Sequence, residues 1–505
     1  MSQAIAGQLA AHVARLRQSA PAQGLAQDPE RATRWQLGFG PLSLNFGRER
    51  LDQPAFDALL ALAAERDLGA AFERLFGGEV VNASEDRAAL HTALRGDLIG
   101  SRASRAARAE ALAAREQMRT LSAQLVQSQI TDIIHVGIGG SDLGPRLVIE
   151  ALAKPAASRF KVHFLANVDG HAVAELMARL DPQRCAVVLV SKSFNTPETR
   201  RNGATLKRWL GNDSQLYAVT ANAAAAHADG VPETHVLPLW DWVGGRFSLW
   251  SPVGWSIALA LGDEAFDALL DGAAEMDRHA LGAAAADNMA IVHALLAVWH
   301  RTALGLPGRA VVAYDQRLAQ LVPWMQQLMM ESLGKSVTAD GEPLLDPSAP
   351  LLFGGVGTDV QHSFFQALHQ GTETVALELI GVIHPDHALA AHHTELLANL
   401  LAQGEVLANG KDSPQAHQRY PGGRGSSTLL LERLDPHSLG MLLALYEHST
   451  YVQAILLGIN AFDQWGVELG KHVAREVGAM LKDSSAIKAD TDPVTRALLA
   501  RIRGN

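Results

Sequence analysis

The spacing of hydrophobic and polar positions changes at about residue 125. Before that point, stretches such as "QPAFDALLALAAERD" and "ASRAARAEALAAREQMRTLSAQLV" repeat apolar residues every three or four positions. This is the spacing of an amphipathic helix. Residues 1–125 are therefore predicted to form a helical N-terminal region that packs on the larger domain.

Short β-branched runs follow, separated by segments that are compatible with helices. The first series is "DIIHVGI", "KVHFLAN", "CAVVLVS" and "QLYAVTA". A second series contains "RAVVAYD" near 309, a long helix to about 333, "LLFGGVG" near 351, a helix opening near 360 and "ETVALELIGVI" near 373. Alternation of this kind predicts parallel sheets with crossover helices.

The predicted fold is therefore α/β with two domains, each a mostly parallel sheet flanked by helices. We place the domains at residues 126–265 and 266–480. The last stretch, 481–505, is predicted to be a helical tail reached through a polar linker.

Charge and cysteine content exclude some functions. The net charge is -10 and no basic stripe is visible, which argues against a nucleic-acid binder. An anionic ligand would therefore have to be bound by a few groups at one site and not by an extended basic surface. The single cysteine, Cys185, cannot form an intramolecular disulfide, and its place in "CAVVLV" predicts a buried strand thiol and not a nucleophile.

The chain carries no recognisable targeting pattern. Its first twenty residues lack a basic segment followed by an unbroken apolar core, so no signal peptide is expected. No stretch reaches the length of a membrane span, and a cytoplasmic location is predicted.

Glycines follow the first β-branched run in "HVGIGGSDLGPRLV", between residues 137 and 144. They allow a sharp turn that points free N–H groups at a ligand. A dinucleotide site is one interpretation. However, the third glycine of that fingerprint would stand at Asp142, and no clear acidic residue ends the next strand, although Asp169 is not far away.

Hydroxyl and amide side chains crowd the stretch "VSKSFNTPET" at residues 190–199. They are Ser191, Ser193, Asn195 and Thr196. Pro197 suits the first position of a helix, with Thr196 as its N-cap. Such a turn would hold one small anion, such as a phosphomonoester, and an ordinary capped helix is the alternative.

An arginine follows two glycines in "DWVGGRFSLWSPVGW". Close backbone approach at the glycines would let Arg246 project into a cleft and face an oxyanion formed in a transition state. A surface salt bridge is the alternative.

A glutamate stands near the end of a predicted helix in "QQLMMESLGKS". Gln327 and Glu331 are four residues apart and so share a face, and Gly334 marks the helix end. Apolar neighbours make Glu331 a candidate general base. An exposed glutamate at a helix end is the alternative.

Three further motifs say little by themselves. "GGVGTDVQHSFFQALHQGT" places His362 in the first turn of a helix capped by Thr358 or Asp359, where histidines commonly pack or cap. Lys471 in "FDQWGVELGKHVAREV" would alone be a solvated lysine. The histidines of "IHPDHALAAHHTE" lack a clean ligand spacing, so no metal site is predicted there.

Taken together and in order, six of these segments strongly resemble the phosphoglucose isomerase family, whose members are glucose-6-phosphate isomerases. They are "GIGGSDLGP", "SKSFNTPET", "GGRFSLW", "MESLGKS", "GTDVQHSFFQALHQGT" and "FDQWGVELGK". The resemblance spans about residues 135 to 473. It implies two sugar-isomerase domains with the active site between them, and reversible conversion of glucose 6-phosphate to fructose 6-phosphate, in glycolysis and gluconeogenesis, without a cofactor.

The resemblance also implies site residues. The phosphate would be held by Ser191, Ser193 and Thr196, with Lys192 and Asn195 in the same loop. The sugar would contact Gly140, Ser141 and Gln327. Glu331 would move the proton between C1 and C2 through a cis-enediol, and Arg246 would steady the enediolate.

Ring opening would be assisted by His362 and Lys471. The resemblance further implies a homodimer whose partner chain contributes to each site, and His362 is the residue that the partner can supply. The chain departs from the family pattern at Leu333, at Asp359 and Val360, and at Asn195, none of which removes a proposed catalytic group. A sugar-phosphate sensor that controls a partner protein and a nucleotide-dependent oxidoreductase remain as alternatives.

Overall fold

The computed structural model describes residues 3–18, 21–154 and 158–504. The chain divides into two compact units, Met1–Ala461 and Phe462–Asn505. The predicted domain boundaries at 265/266 and 480/481 both fall inside helices, and neither coincides with this division.

The strands in the described residues are β1 (Gln36–Phe39), β2 (Leu42–Asn45), β3 (Val80–Asn82), β4 (Arg87–Ala88), β5 (Asp132–Val136), β6 (Lys161–Leu165), β7 (Cys185–Val190), β8 (Leu216–Thr220), β9 (Val236–Pro238), β10 (Gly308–Tyr314), β11 (Leu351–Val356), β12 (Ala376–Val382) and β13 (Ser427–Leu431).

The α-helices are α1 (Gln3–Leu16), α2 (Pro21–Gln27), α3 (Arg31–Arg34), α4 (Gln53–Glu65), α5 (Leu68–Gly77), α6 (Arg102–Val126), α7 (Leu143–Leu152), α8 (Gly170–Arg179), α9 (Pro197–Leu210), α10 (Ala223–Ala228), α11 (Trp255–Leu261), α12 (Asp263–Gly282), α13 (Met289–Val298), α14 (Leu321–Met325), α15 (Phe365–Gln370), α16 (Ala390–Asn409), α17 (Pro436–Leu457), α18 (Glu468–Lys482) and α19 (Pro493–Ile502). None of the helices in the described residues is both long enough and apolar enough to cross a bilayer.

The first large sheet has five strands in the order β6-β5-β7-β8-β9, and every pair is parallel. All six residues of β7 are buried, because helices cover both faces of such a sheet. Cys185 begins this strand and is fully buried, as predicted. Since the strands are parallel, their carboxyl ends meet at one edge, and the loops that follow β5, β7 and β9 emerge there.

The second large sheet has six strands in the order β1-β2-β13-β12-β10-β11. Strands β11, β10, β12 and β13 are parallel, whereas β2 and β1 continue the sheet antiparallel. Side chains from α15 and α16 pack on one face of it, as Leu368 and Leu400 illustrate. The prediction of an α/β fold with two mostly parallel sheets flanked by helices is confirmed.

The N-terminal region is not helical throughout. Residues 36–45 form the hairpin β1–β2, which extends the second sheet. Leu42 and Leu44 alternate with polar residues and are buried, and Gly40 has a positive φ of 53° in the turn. A hairpin of two four-residue strands carries too short an alternation to stand out among long helical patterns.

The long helix predicted after β10 is not a regular α-helix throughout. Helix α14 ends at Met325 and continues as a π-helical segment, Gln326–Glu331. Each backbone bond in such a segment reaches one residue further back than in an α-helix, and π turns are frequent at functional sites. The sequence pattern of apolar residues does not distinguish the two.

The second unit contains α18 and α19. The tail helix predicted within 481–505 corresponds to α19. Asp492 caps it by accepting a hydrogen bond from the Thr495 backbone N–H, and Pro493 occupies its first position.

Candidate active site

The hydroxyl-rich loop 191–196 joins the buried end of β7 to α9. The Ser191 and Thr196 hydroxyls are 2.9 Å apart and hydrogen-bonded, so they close the loop across its base. Thr196 is in the N-cap position, as predicted, but its side chain bonds Ser191 and does not cap the helix backbone. Ser193 and Asn195 are exposed at the rim. Because Pro197 begins α9, the free N–H groups of the first helical turn lie next to these hydroxyls.

The glycine-rich turn 137–141 joins β5 to the segment before α7. Gly139 has a positive φ of 61°, which glycine adopts without strain. A Cβ atom at Gly140 would lie 2.0 Å from the Gly245 carbonyl oxygen, so the turn packs directly on the backbone beside Arg246. Glycine is required at position 140 because the turn and the backbone at Gly245 are in direct contact.

Lys192 connects the hydroxyl-rich loop to the same segment. Its ammonium donates to the carbonyl oxygens of Asp241 and Val243, at 3.1 Å each. Burial lowers the pKa of Lys192, although Asp241 opposes that effect. The loops after β5, β7 and β9 are thus joined within a few residues of Arg246.

Arg246 is buried and held at several points. Its Nε donates to the Ser332 Oγ at 2.6 Å, and its Nη2 donates to the Ala461 carbonyl oxygen. Its Nη1 lies 3.5 Å from Glu331 Oε2. The Arg246 side chain is 2% exposed and that of Glu331 19%, so the carboxylate is the accessible member of the pair.

Gln327 and Glu331 are both presented by the π-helical segment. A Cβ atom at Gly139 would lie 2.9 Å from Gln327 Nε2, which places the amide against the glycine-rich turn. Leu328, Met329 and Leu333 are buried and fix the segment. The structure therefore gathers the loop 191–196, Gly140, Arg246, Gln327 and Glu331 at one place in the first unit.

His362 is not joined to this cluster. It ends a short 3₁₀ turn, Asp359–His362, after β11, and its side chain is exposed. No side-chain hydrogen bond from Thr358 caps this turn, and the helix predicted here begins only at Phe365. Within the described residues no hydrogen bond or ion pair links His362 to Arg246 or Glu331.

Lys471 lies in the second unit, on the exposed side of α18. Its ammonium is 2.7 Å from the Glu468 carboxylate one turn earlier, and its side chain is 52% exposed. This is the solvated lysine that the residue pattern alone indicates, and a part in the chemistry stays a prediction.

Two groups at the site were missed by sequence reasoning. Ser332 and the Ala461 carbonyl hold the Arg246 guanidinium, yet they lie 86 and 215 residues away from it in the chain. Ser332 directly follows Glu331 and is fully buried, but no local pattern connects it to an arginine.

The histidines near residue 390 are engaged in other contacts. His393 donates a ring N–H to the Ile383 carbonyl oxygen at 2.8 Å, and His384 lies 3.4 Å from the Glu432 carboxylate. Over residues 3–18, 21–154 and 158–504, His, Cys, Asp and Glu side chains form no group of three suited to a metal ion.

The arrangement combines a hydroxyl-rich loop at a helix start, a carboxylate and a fixed cation. The carboxylate can take a proton from a bound molecule, and the guanidinium beside it can stabilise the negative charge that then forms on that molecule. A carboxylate and a guanidinium placed in this way can carry out proton transfer next to a carbonyl group.

Comparisons with known proteins show similarity along most of the chain. The family model described as phosphoglucose isomerase matches residues 45–499. The glucose-6-phosphate isomerase of Xanthomonas axonopodis pv. citri (strain 306) is 54% identical over 497 residues, covering 98% of each chain. That of Xanthomonas campestris pv. campestris (strain B100) is 53% identical over the same length and coverage.

Solved structures are similar as well. The crystal structure of a glucose-6-phosphate isomerase from Chlamydia trachomatis D/UW-3/Cx superimposes with a TM-score of 0.88 at 32% identity, covering 97% of this chain and 98% of that one. A hypothetical protein from Thermus thermophilus gives a TM-score of 0.61 at 27% identity, covering 83% of this chain and 92% of that one.

Proposed function

This chain belongs to the phosphoglucose isomerase family, and we infer that it is an aldose–ketose isomerase that interconverts D-glucose 6-phosphate and D-fructose 6-phosphate. The reaction takes the proton from C2 of the open-chain aldose, passes through a cis-enediol and returns the proton at C1. It is a step of glycolysis and, in reverse, of gluconeogenesis.

We propose that Glu331 is the base that moves this proton. Its carboxylate is partly exposed, while Leu328 and Met329 beside it are buried. Arg246 would stabilise the enediolate because its guanidinium is fixed before the substrate arrives, so little reorganisation accompanies charge formation. The observation that carries the proposal is the 3.5 Å approach of Arg246 Nη1 to Glu331 Oε2.

The substrate phosphate is proposed to bind at Ser191, Ser193 and Thr196. Hydroxyl groups and free N–H groups at a helix start suit a dianion. Lys192 and Asn195 belong to the same loop, but the Lys192 ammonium is engaged with two backbone carbonyls and so would mainly hold the loop in place. Gly140, Ser141 and Gln327 would contact the sugar.

Ring opening is assigned to His362 and Lys471 by the motif match. We propose that the protein acts as a homodimer and that His362 of the partner subunit completes each site. The exposed position of His362, without a bond to Arg246 or Glu331 in the part of the chain that is described, supports this arrangement. A cytoplasmic location is proposed from the glycolytic reaction.

The first test is a Glu331→Gln variant in a coupled assay for fructose 6-phosphate conversion. We expect kcat to fall by at least about 10²-fold, since a general base typically contributes that much or more. Affinity for glucose 6-phosphate, measured by calorimetry, should change only a few-fold. The matched control is Glu395→Gln on the exposed face of α16, which should behave as the wild type.

Near-normal turnover by Glu331→Gln would contradict the assignment of Glu331 as the base. A wild-type chain that binds glucose 6-phosphate but never turns it over would instead support the sensor alternative. Binding of a nicotinamide cofactor in a direct titration would support the oxidoreductase alternative.

A further inference from the structure

A buried histidine supports the glycine-rich turn from below. His135, the fourth residue of β5, is fully buried and its ring makes two hydrogen bonds. Nε2 lies 2.6 Å from the Ser141 carbonyl oxygen, and Nδ1 lies 2.7 Å from the Ser256 hydroxyl of α11. The Phe164 ring packs against the imidazole with centroids 5.1 Å apart.

The partners fix the tautomer of this ring. A carbonyl oxygen only accepts hydrogen bonds, so Nε2 must carry the proton that is donated to Ser141. In a neutral imidazole Nδ1 is then the acceptor, and the Ser256 hydroxyl donates to it. Burial lowers the pKa of His135, although its bond to Ser141 opposes this, and the neutral ring is consistent with that direction.

The Ser141 carbonyl needs a donor from outside the helix. Ser141 lies just before α7, and a bond from the N–H group four residues later is not available, because that residue is Pro145, which has none. A partly buried carbonyl left without a donor carries a desolvation cost. The imidazole supplies the missing donor.

The turn is also closed tightly around this bond. A Cβ atom at Gly137 would lie 2.6 Å from the same Ser141 oxygen, so the chain folds back on itself at the histidine. On its other side the turn meets the Gly245 backbone at Gly140. The imidazole and Gly245 therefore hold Gly140 and Ser141 between them.

We propose that His135 is a positioning residue for the sugar-contacting turn and that it acts on substrate affinity by fixing the Ser141 backbone. This inference rests on the proposed function, because it takes Gly140 and Ser141 to contact the sugar. His135 itself touches no substrate. Its effect should be separate from that of the phosphate loop, which is held by Ser191, Thr196 and Lys192.

The test compares three substitutions of His135. His135→Gln places an amide N–H as many bonds from the backbone as Nε2, so the bond to Ser141 can form. His135→Asn reaches only as far as Nδ1 and can bond Ser256 alone. His135→Leu makes neither bond. Each is measured for kcat and KM with fructose 6-phosphate, for affinity towards glucose 6-phosphate and inorganic phosphate by calorimetry, and for its thermal midpoint.

We expect His135→Leu and His135→Asn to raise KM and weaken glucose 6-phosphate binding roughly ten-fold, about the effect of one buried hydrogen bond. Inorganic phosphate should bind within about two-fold of the wild type, because the loop 191–196 is untouched. His135→Gln should recover most of the lost affinity.

Unchanged glucose 6-phosphate affinity in His135→Leu would overturn the inference. So would a parallel loss of inorganic phosphate binding, or a Gln variant no better than Asn. If His135→Leu does not fold, Ser256→Ala serves as the second variant and should weaken sugar-phosphate affinity a few-fold through the unfixed ring. A wild type that binds glucose 6-phosphate without isomerising it would defeat the proposed function and not this inference, since affinity alone decides the latter.

Discussion

At the scale of single residues, the site depends on backbone segments that approach more closely than any side chain would allow. Gly140 meets the Gly245 carbonyl, and Gly139 meets the Gln327 amide. The motif glycines thus bring into contact parts of the chain that lie more than one hundred residues apart in sequence. Arg246 can then extend from the second segment towards Glu331.

Gly140→Ala tests this contact. A methyl group there would lie 2.0 Å from the Gly245 carbonyl oxygen and 2.8 Å from the Arg246 nitrogen, and both are backbone atoms that cannot turn aside. We expect lower kcat, higher KM and a loss of about 1–3 kcal/mol in the free energy of unfolding. Gly170→Ala at the start of α8 is the control, because no atom lies within 4 Å of the added methyl. Equal behaviour of the two variants would contradict the packing argument.

Arg246→Lys tests the fixed cation. The guanidinium reaches Ser332, Ala461 and Glu331 in three directions at once, which a single ammonium cannot do. We expect kcat to fall by about 10²–10³-fold, the usual cost of losing a preorganised group that stabilises the transition state, with a smaller change in KM. Arg179→Lys on the exposed surface of α8 is the control, and steady-state kinetics of both provide the measurement.

At the scale of elements, a buried ionic cluster joins helices of the first unit to the turn that precedes α6. Arg95 in that turn pairs with Asp277 of α12 and Glu447 of α17, both at 2.6 Å, and all three side chains are at most 2% exposed. The Trp250 indole donates to the other Glu447 oxygen at 2.8 Å. Trp250 lies four residues after Arg246, so the cluster also fixes the segment that carries Arg246.

Arg95→Met should destabilise this junction strongly. Removing the cation leaves two buried carboxylates without compensation, which costs about 3–5 kcal/mol. The loss should be smaller at pH 5.5 than at pH 8, because burial raises the pKa of Glu447 to about 7 even though Arg95 opposes that rise, and the protonated acid carries no charge. Arg179→Met, whose surface pair with Glu175 contributes at most about 1 kcal/mol, is the control. Denaturant unfolding at both pH values gives the comparison.

At the scale of the whole molecule, Glu447 also makes stability depend on pH. Its pKa is about 7 in the native protein against an ordinary value of 4.5, so the native state keeps this proton to higher pH than the unfolded chain does. The stability contributed by the group is complete below about pH 4.5 and is lost as pH rises through 7.

A Glu447→Gln variant isolates that contribution. The difference in unfolding free energy, wild type minus variant, should decline between pH 5 and 7.5 by at most about 3 kcal/mol and stay level above pH 8. A difference that stays level over this range would mean that the native carboxyl is ionised throughout, because neither state would then bind a proton.

The sequence predicted the two sheets and the loops at their carboxyl ends, because β5 and β7 are unmistakable apolar runs followed directly by glycines and hydroxyls. It did not predict what holds those loops together. The contact of Arg246 with Ser332 and the bond from His135 to Ser141 depend on tertiary packing. The hairpin β1–β2 was too short to recognise, and the π turn before Glu331 shares its apolar spacing with an α-helix.

The thiol of Cys185, at the start of β7, can be used to measure how often the core around the first sheet opens. Burial raises the pKa of Cys185 to about 12, so almost no thiolate exists at neutral pH, and no reagent can reach the sulfur while the apolar core around it, which includes Leu206 and Leu210 of α9, stays packed. Modification by a maleimide should therefore require this core to open, and the rate of modification would report how often that opening occurs. Immediate labelling of the native enzyme would show that the region around the start of β7 opens locally while the rest of the protein stays folded.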